Sequence, residues 1–392
     1  MTILMAHNQY QNFGGEDQSY AAESGLLEAN GCKVLRYTLH NRQIQGMNPL
    51  MLAQATLWNK QVYRNLREIM KREHPKIAHF QNTFPLISPA AYYAAKVEGV
   101  PVVQSLRNYR LLCPNALFFR EGHICEECMG RTVPWPAVAH ACYRNSRAAS
   151  AVVTSMLTLH RAIGTWSRMV DVYIALTEFA RNKFIEGGLP KEKIVVKPNF
   201  VYPDPGQGDG KGGYALFVGR LSPEKGVDTL LRAWELLGGR ISLKIVGDGP
   251  LAEKVKKTAS NIYGIEWLGH RNMEEVYSLM GEAAFLVFPS EWYETFGRVA
   301  IEAFAKGTPV LAAKIGAVGE ITENGRTGLH FRAGDPIDLA EKVDWLMSHP
   351  AQLARMRKEA RAEYEAKYTA ERNYRMLMEI YERAISVARS GG

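Results

Sequence analysis

Residues 214–237, YALFVGRLSPEKGVDTLLRAWELL, combine an apolar run, a polar loop bounded by glycines and a segment with helical spacing. The pattern predicts a strand over Ala215–Val218 and a helix over Val227–Leu237. A strand followed directly by a helix is the unit from which parallel sheets are built. This stretch therefore predicts an α/β domain.

The same alternation continues on both sides of this stretch. Downstream we predict the strands Leu243–Val246, Ile265–Leu268, Phe285–Phe288 and Pro309–Ala312 and the helices Leu251–Ala259, Glu274–Met280 and Arg298–Ala305. Upstream we predict the strands Thr2–Ala6, Lys33–Tyr37, Ile77–Phe80 and Pro101–Ser105 and the helices Asp17–Ala29, Leu57–Arg72 and Pro89–Val97. Two Rossmann-like, doubly wound domains in tandem account for this pattern.

Composition breaks mark the predicted boundaries. The stretch NFVYPDPGQGDGKGG at 199–213 has the composition of an exposed linker, and 113–142 is a segment rich in Cys, Pro and Gly that leaves the sheet pattern. A helical end at about 350–388 is longer than the second sheet needs and is expected to cross back onto the first domain. We therefore predict domains over 1–205 and 206–365 and a returning helix over 366–392.

The overall composition is that of a soluble globular chain, because 46% of its 392 residues are hydrophobic and 22% are charged. The longest apolar candidate, 148–159, is shorter than the ~20 residues that a membrane-spanning helix needs. Met1–Ala6 has no basic segment of the signal-peptide kind. A cytoplasmic location is the resulting expectation.

The positive charge lies in the first half, where residues 1–205 hold 23 Lys and Arg against 15 Asp and Glu, while 206–392 hold 25 against 25. No block of like charge and no basic stripe with interleaved aromatics appears, so nucleic acid is not an expected partner. A dispersed basic half suits phosphorylated ligands or an anionic membrane surface, including a peripheral place on the inner membrane face.

Ligands of open parallel sheets bind at the carboxyl ends of the strands, so we examined the loops that follow strands. In the loop 219–226, Arg220 and Lys225 are two cations ahead of a predicted helix, which suits a diphosphate. Two solvated surface charges explain the spacing equally well. The loop 247–250, GDGP, allows close backbone approach, although an ordinary strand-to-helix turn also explains it.

Two glutamates, Glu294 and Glu302, lie eight residues apart around the predicted start of a helix. Glu294 precedes the helix, near free backbone N–H groups, while Glu302 lies inside it among apolar residues, where an unpaired charge is costly. This placement favours a role in binding sugar or ribose hydroxyls over a role as solvated surface charges.

Gly14 and Gly15 precede the first helix and allow close approach of a ligand. They do not form a dinucleotide fingerprint, and the second strand ends near Tyr37–His40 without an acidic residue. Nicotinamide-dependent dehydrogenases are thereby set aside.

Together the motifs resemble the retaining glycosyltransferases of family 4 (glycosyl transferases group 1), which have the two-domain GT-B architecture with a cleft between the domains. The motifs are GRLSPEKG at 219–226, VGDGP at 246–250, LGH at 268–270, the pair Glu294 and Glu302, and GEITENGRTG at 319–328. NYRLLCPN at 108–115 and the paired cysteines at 125–128 are similar to a bacterial polysaccharide-type subgroup.

The resemblance implies an EC 2.4-type transferase that moves a hexose from a UDP- or GDP-sugar to a glycan or lipid-linked acceptor with retention of configuration and without a catalytic metal. Arg220 and Lys225 would hold the donor diphosphate and stabilise the leaving group. Glu302 would bind the ribose, and Glu294 the donor sugar. The remaining implied donor-site residues are Gly15, Gly219, Gly247, Arg271, Phe296 and Gly297. The acceptor would dock mainly on the first domain.

One position departs from the family pattern, because Arg107 stands where the family has an active-site histidine that touches the donor sugar. Arginine is permanently charged and cannot accept a hydrogen bond. We therefore hypothesise slow turnover, and as an alternative function a catalytically weak nucleotide-sugar or glycan binding subunit. An epimerase of the same architecture fits the motifs less well.

Four cysteines lie within thirty residues, at Cys113, Cys125, Cys128 and Cys142. A C-x2-C pair flanked by two further cysteines allows a structural four-thiolate zinc site. Buried free thiols are the alternative, and disulfides are less favoured in a cytoplasmic chain.

Overall fold

A computed structural model of the chain describes residues 1–11 and 14–390. Its strands form two parallel sheets of six strands and one short antiparallel hairpin. The predicted α/β class with two doubly wound sheets is confirmed. The strands in chain order are β1 (Thr2–Gln9), β2 (Lys33–His40), β3 (Ile77–Asn82), β4 (Val102–Ser105), β5 (Phe119–Arg120), β6 (His123–Ile124), β7 (Val172–Ala175), β8 (Ile194–Val196), β9 (Tyr214–Val218), β10 (Ser242–Val246), β11 (Ile265–Gly269), β12 (Phe285–Phe288), β13 (Val310–Ala313) and β14 (Gly328–Phe331).

The helices follow the strands, as the alternation predicts. In chain order they are α1 (Gly15–Ala29), α2 (Pro49–Leu57), α3 (Lys60–Glu73), α4 (Ala90–Val97), α5 (Pro136–Ala139), α6 (Arg147–Ala162), α7 (Thr165–Arg168), α8 (Glu178–Glu186), α9 (Val227–Leu237), α10 (Ala252–Asn261), α11 (Met273–Glu282), α12 (Arg298–Ala305), α13 (Gly316–Ile321), α14 (Pro336–Ser348), α15 (Pro350–Lys367) and α16 (Ala370–Ser390). No helix of the described residues is long and apolar enough to cross a membrane.

Two helix predictions differ from the observed bounds more than the others do. The helix predicted from residue 57 begins at Lys60, because the Asn59 side chain accepts hydrogen bonds from the N–H groups of Gln61 and Val62 and caps it there. The helical end predicted over 350–388 is two helices, which separate at Tyr368 and Thr369.

The order of the strands in the second sheet is β11-β10-β9-β12-β13-β14. The chain leaves β9 towards one edge of the sheet and restarts at β12 on the other side. The carboxyl ends of β9 and β12 therefore flank the topological switch point, where open α/β sheets bind ligands. In the first sheet the order is β2-β1-β3-β4-β7-β8, so the corresponding point lies between β1 and β3.

The described chain divides into two compact units. Unit 1 contains residues 1–118, 126–197 and the chain from 373 onward, and unit 2 contains 119–125 and 198–372. The domain bounds predicted at 205/206 and 365/366 stay a prediction, and the observed divisions lie at 197/198 and 372/373. The greater part of α16 thus belongs to unit 1.

Each unit has its own core around its sheet. In unit 1, Leu377 and Tyr381 of α16 are fully buried against strand residues such as Ile3 and Ile77. In unit 2, the fully buried Trp234 of α9 donates its indole N–H to the carbonyl oxygen of Ile241 at 3.0 Å. These cores fix the strand ends that carry the candidate residues.

Candidate active site

The loops that follow β9 and β12 touch at the switch point of unit 2. Gly226 has a φ of +67°, and a Cβ atom there would lie 1.8 Å from the carbonyl oxygen of Pro289. The N–H of Glu291 donates to the carbonyl oxygen of Glu224 at 2.9 Å. Only glycine permits this approach, which brings the two loops into backbone contact.

The principal ion pair of this site joins Lys225 and Glu294, one from each loop. The same Glu294 oxygen, Oε1, accepts hydrogen bonds from Ser290 Oγ and Trp292 Nε1, each at 2.9 Å. The Lys225 ammonium lies 5.4 Å from the centre of the Trp292 ring. A carboxylate that is only 8% exposed is thus held beside a cation at the mouth of the sheet.

Arg220 lies in the same loop as Lys225, and its side chain is exposed. Within the part of the chain that the structure describes, its guanidinium forms no ion pair. An exposed guanidinium without an acidic partner is available to an anionic ligand. Of the two residues predicted to bind a diphosphate, Arg220 is therefore exposed to solvent and Lys225 is paired with Glu294.

Backbone hydrogen bonds connect the loops that follow β9, β10 and β11. The N–H of Gly219 donates to Val246 O at 3.0 Å, and that of Gly247 donates to Gly269 O at 2.8 Å. Gly247 has a φ of +140°, and a Cβ atom there would lie 1.9 Å from Gly219 O. Glycine is therefore required at Gly247 by close backbone approach, which the sequence alone could not distinguish from an ordinary turn.

Glu302 lies in α12 and is not paired with the cations of the first loop. Arg298, one turn earlier, places its Nε 2.8 Å from Glu302 Oε1. Burial raises the pKa of the Glu302 carboxyl, and the Arg298 charge opposes that shift. The result is a buried carboxyl whose ionised form depends on one cation.

The remaining predicted residues of unit 2 differ in their surroundings. Gly297 has a φ of +94° and is the N-cap of α12. The Phe296 ring is buried, with its centre 6.2 Å from that of Tyr368, so only its backbone is available to a ligand. Arg271 lies 3.9 Å from Glu275 in an exposed ion pair. The roles implied for these residues stay predictions.

In unit 1, Gly15 is the first residue of α1, and a Cβ atom there would meet no atom within 4 Å. The preceding Gly14 donates its N–H to Asp17 Oδ2 at 2.9 Å, which closes the first turn of the helix. Asn12 and Phe13 of the predicted loop 8–15 lie outside the described residues.

Arg107 lies in a sealed ion cluster of unit 1. Its Nη2 is 2.9 Å from Glu23 Oε2, and its Nε donates to Gln81 Oε1 at 2.8 Å. Lys197 Nζ lies 2.6 Å from Glu23 Oε1 and donates to Asn373 Oδ1 at 2.9 Å. The side chains of Glu23, Arg107 and Lys197 are at most 2% exposed. The hypothesis that Arg107 slows turnover at the active site stays a prediction, and in this structure the guanidinium contacts Glu23 and Gln81.

The charges of this cluster shift the pKa values of its members. Burial alone would raise the pKa of Glu23, but Lys197 and Arg107 lower it far below its usual range. Burial lowers the pKa of His79 to about 3, so this imidazole is neutral at physiological pH. Its Nδ1 lies 2.8 Å from the Tyr381 hydroxyl and its Nε2 lies 2.9 Å from Ser105 Oγ.

The predicted zinc site is not supported by the structure. Cys128 is buried with its Sγ 3.8 Å from Pro134 O, whereas Cys113, Cys125 and Cys142 are partly exposed. In residues 1–11 and 14–390, no group of three or more His, Cys, Asp or Glu side chains could hold a metal ion. The C-x2-C spacing places two thiols close in sequence, but a tetrahedral site needs four ligands around one point.

Sequence reasoning missed Ser290 and Trp292, which hold Glu294, and Glu23 and Lys197, which hold Arg107. The indole two residues before Glu294 was a usable signal, because a tryptophan N–H that is taken out of water needs an acceptor. Lys197, at the end of a strand and directly before Pro198, was a second usable signal. Pairings across long sequence separations carry no signal in one sequence.

The comparisons with known proteins match both units. Residues 27–204 match Glycosyltransferase Family 4, and residues 204–363 match Glycosyl transferases group 1. An uncharacterized glycosyltransferase of Methanocaldococcus jannaschii is 33% identical over 214 residues, which are 54% of this chain and 59% of that protein. The match thus spans about three fifths of the length of that relative.

Two solved structures show the fold. Anabaena HepE in complex with UDP-glucose has a TM-score of 0.68 at 18% identity, covering 97% of this chain and 98% of that chain. Sucrose-phosphate synthase from Thermosynechococcus elongatus has a TM-score of 0.72 at 15% identity, covering 98% and 99%. This chain, with its two parallel sheets of six strands, therefore has a fold that matches GT-B glycosyltransferase structures.

Proposed function

Because the chain carries a Glycosyltransferase Family 4 domain followed by a Glycosyl transferases group 1 domain, we propose that it transfers a hexose from a UDP- or GDP-sugar to a glycan or lipid-linked acceptor. The observation that carries the proposal is the arrangement at the switch point of unit 2. There, Lys225 and Glu294 meet across two loops, and Arg220 lies exposed in the first of them.

The cations act on the leaving group. When the bond between the anomeric carbon and the diphosphate oxygen breaks, negative charge grows on the diphosphate. Arg220 and the Lys225 ammonium, both carried by the loop after β9, stabilise this charge. Ser290 and Trp292 continue to hold Glu294 when Lys225 turns to the phosphates.

The carboxylates orient the donor. Glu294 accepts hydrogen bonds from hydroxyl groups of the sugar, and Glu302 accepts hydrogen bonds from those of the ribose. The acceptor hydroxyl forms the new bond on the face that the diphosphate leaves, and its proton passes to the departing diphosphate oxygen. Configuration at the anomeric carbon is then retained. No metal takes part in this proposal.

Calorimetric titration with UDP, GDP and ADP tests the donor site without an acceptor. We expect one nucleotide to bind selectively and its affinity to fall on Lys225→Ala and on Glu302→Ala. Lys257→Ala is the matched control, since Lys257 is an exposed lysine of α10 in the same unit. Absence of binding by all three nucleotides would overturn the proposal.

A second experiment tests retention. Product from a sugar nucleotide of known anomeric configuration is analysed by the proton coupling of its new glycosidic bond. The same configuration in donor and product is expected, and inversion would contradict the mechanism.

The binding-subunit alternative is not favoured. It rested on Arg107 as a damaged catalytic position, whereas this arginine has partners of its own in Glu23 and Gln81. Contact of unit 1 with an anionic membrane surface stays a prediction.

A further inference from the structure

Unit 1 contains an apolar groove that no step of the proposed reaction uses. Its volume is about 360 Å³, and twelve of its fifteen lining residues are aliphatic, aromatic or proline. They come from α2, from the turn after β3 and from the start of α6; among them are Leu50, Leu52, Phe84, Val152 and Val153. Hydrocarbon is the chemistry that such a lining accepts.

A second, smaller cavity of about 50 Å³ adjoins this groove, and the two share Thr56 and Phe84 in their linings. The small cavity lies at the carboxyl ends of β3 and β4, where Asn82 and Ser105 line it. This edge of a parallel sheet is where ligands of α/β domains bind. The apolar groove thus borders the edge of the sheet at which ligands bind.

Two arginines stand where the cavities meet. The Arg110 guanidinium lies 4.3 Å from the centre of the Phe84 ring and 5.0 Å from that of Tyr143. Its Nε is buried without a hydrogen-bond partner among the described residues. Arg144 lines the groove, is exposed and has no ion pair in the described chain. Arg110 Nη1 donates to the carbonyl oxygen of Pro114, so its Nε and the Arg144 guanidinium are the donors available to an anion.

The chain segments that line the groove contain no acidic residue. No Asp or Glu occurs between Glu28 and Glu68, or between Glu127 and Asp171, while these two intervals hold six and five Lys and Arg. The turn that carries Phe84 lies in a third interval without acidic residues, between Glu73 and Glu98. An apolar groove with a purely basic rim is complementary to an anionic amphiphile.

From this juxtaposition we propose that the acceptor is an anionic amphiphile with a phosphate-linked head group. Its hydrocarbon chain occupies the groove, and its phosphate lies at Arg110 and Arg144. This inference rests on the proposed function, because the groove ligand is an acceptor substrate only if the chain is a transferase. Of the glycan and lipid-linked acceptors that the proposed function allows, it selects the lipid-linked class.

Calorimetric titration with dodecyl phosphate, below its critical micelle concentration, tests the groove. We expect saturable binding, and binding at least about tenfold weaker for inorganic phosphate, which lacks the chain, and for dodecyltrimethylammonium, which reverses the charge. Equal affinity for phosphate and dodecyl phosphate would overturn the proposal, and so would binding only to phosphatidylglycerol vesicles.

Two matched leucine variants locate the site. Leu50, 80% exposed in the first turn of α2, lines the groove, and Leu236, 53% exposed on α9, lies in unit 2. An acidic residue in the first turn of a helix is well tolerated, so Leu50→Glu should fold. We expect Leu50→Glu to weaken dodecyl phosphate binding about tenfold and Leu236→Glu to leave it unchanged. Equal losses in both variants would exclude the groove.

UDP, GDP and ADP titrations of the same proteins separate the two proposals. If the protein binds a nucleotide but not dodecyl phosphate, the proposal of an anionic amphiphile in the groove is overturned and the proposed donor site is retained. Dodecyl phosphate binding that Leu50→Glu weakens, in a protein that binds none of the nucleotides, overturns the proposed transferase and retains the groove as a site for an anionic amphiphile.

Discussion

Each unit holds a glutamate against cations, but the two glutamates differ in exposure and in partners. In unit 1, Glu23 is enclosed between Arg107 and Lys197, and all three side chains are sealed from solvent. In unit 2, Glu294 pairs with Lys225, whose side chain is 22% exposed. The buried cluster of unit 1 stabilises the fold. The pair of unit 2 is partly exposed, so an anionic ligand can compete with Glu294 for Lys225.

The difference shows why residue type and spacing do not by themselves identify a site. Arg107 lies directly after a strand, in the same kind of position as Arg220. Arg107 is buried with a carboxylate partner, whereas Arg220 is exposed. Partner and exposure, and not charge, separate a structural arginine from a candidate ligand-binding one.

Glu23→Gln is expected to have the largest effect, on stability. The change leaves Arg107 and Lys197 buried without their carboxylate, which costs about 3–5 kcal/mol in the free energy of unfolding. Chemical denaturation measures it. Glu294→Gln is the matched control, and because Lys225 remains in contact with solvent we expect it to cost no more than about 1 kcal/mol. Equal losses would remove the distinction between the two glutamates.

The sealed cluster also predicts a pH dependence. The pKa of Glu23 is lower in the folded chain than its ordinary 4.5, so its contribution is fully present above pH 4.5 and is lost as the pH falls towards the depressed value. Denaturation midpoints of the wild type should therefore fall more steeply below pH 4.5 than those of Glu23→Gln. Parallel profiles would show that the cluster does not hold Glu23 ionised.

Lys225→Ala is expected to have the next largest effect, and on turnover. Loss of the Lys225 ammonium, which stabilises the charge on the leaving diphosphate, lowers kcat about 100- to 1,000-fold. The free energy of unfolding changes little, because the Lys225–Glu294 ion pair is partly exposed. Initial rates with the selected sugar nucleotide measure it, with Lys257→Ala as the control. A large stability loss with unchanged turnover would make Lys225 a structural residue like Lys197.

Much of the fold was predictable, because alternating strand and helix periods are local properties of the chain. The helix predicted over Val227–Leu237 is observed with these bounds, and the predicted strand Ile77–Phe80 extends to Asn82. The sequence also singled out the loop that carries Arg220 and Lys225. It could not show that Lys225 reaches Glu294, since that contact depends on β9 and β12 being neighbours in the sheet.

The cluster around Arg107 was also unpredictable from the sequence, because its contacts join residues that are even further apart along the chain. Glu23 and Lys197 are 174 residues apart, and Lys197 and Asn373 are 176 residues apart. Each looks like an ordinary surface charge or polar residue in its own segment. Only the order of the strands and the position of α16 in unit 1 bring them together.

Arg107→His tests the family pattern directly and is expected to have a moderate effect. Histidine is smaller and lacks the fork that joins Glu23 to Gln81, so we expect a loss of about 2 kcal/mol in the free energy of unfolding. Turnover should not rise, because the arginine belongs to a completed cluster. Faster turnover in Arg107→His than in the wild type would restore the hypothesis that Arg107 slows the reaction.

Glu302→Gln is expected to have the smallest effect on stability, and in the opposite direction to Glu23→Gln. Burial raises the pKa of Glu302 above 4.5 in the folded chain, so its contribution favours folding below that pH and is lost as the pH rises through the folded pKa. At pH 8 the ionised carboxyl therefore costs stability, and Glu302→Gln should raise the free energy of unfolding. The gain should vanish near pH 4.

Glu302→Gln should also weaken nucleotide binding, because an amide accepts weaker hydrogen bonds from the two ribose hydroxyl groups than a carboxylate does. Denaturation at pH 4 and pH 8 and calorimetry with the selected nucleotide measure the two effects in one protein. A variant that is more stable yet binds less tightly identifies Glu302 as a residue kept for its ligand. A variant that loses stability at pH 8 would place Glu302 with Glu23, as a carboxylate whose partner, here Arg298, serves the fold.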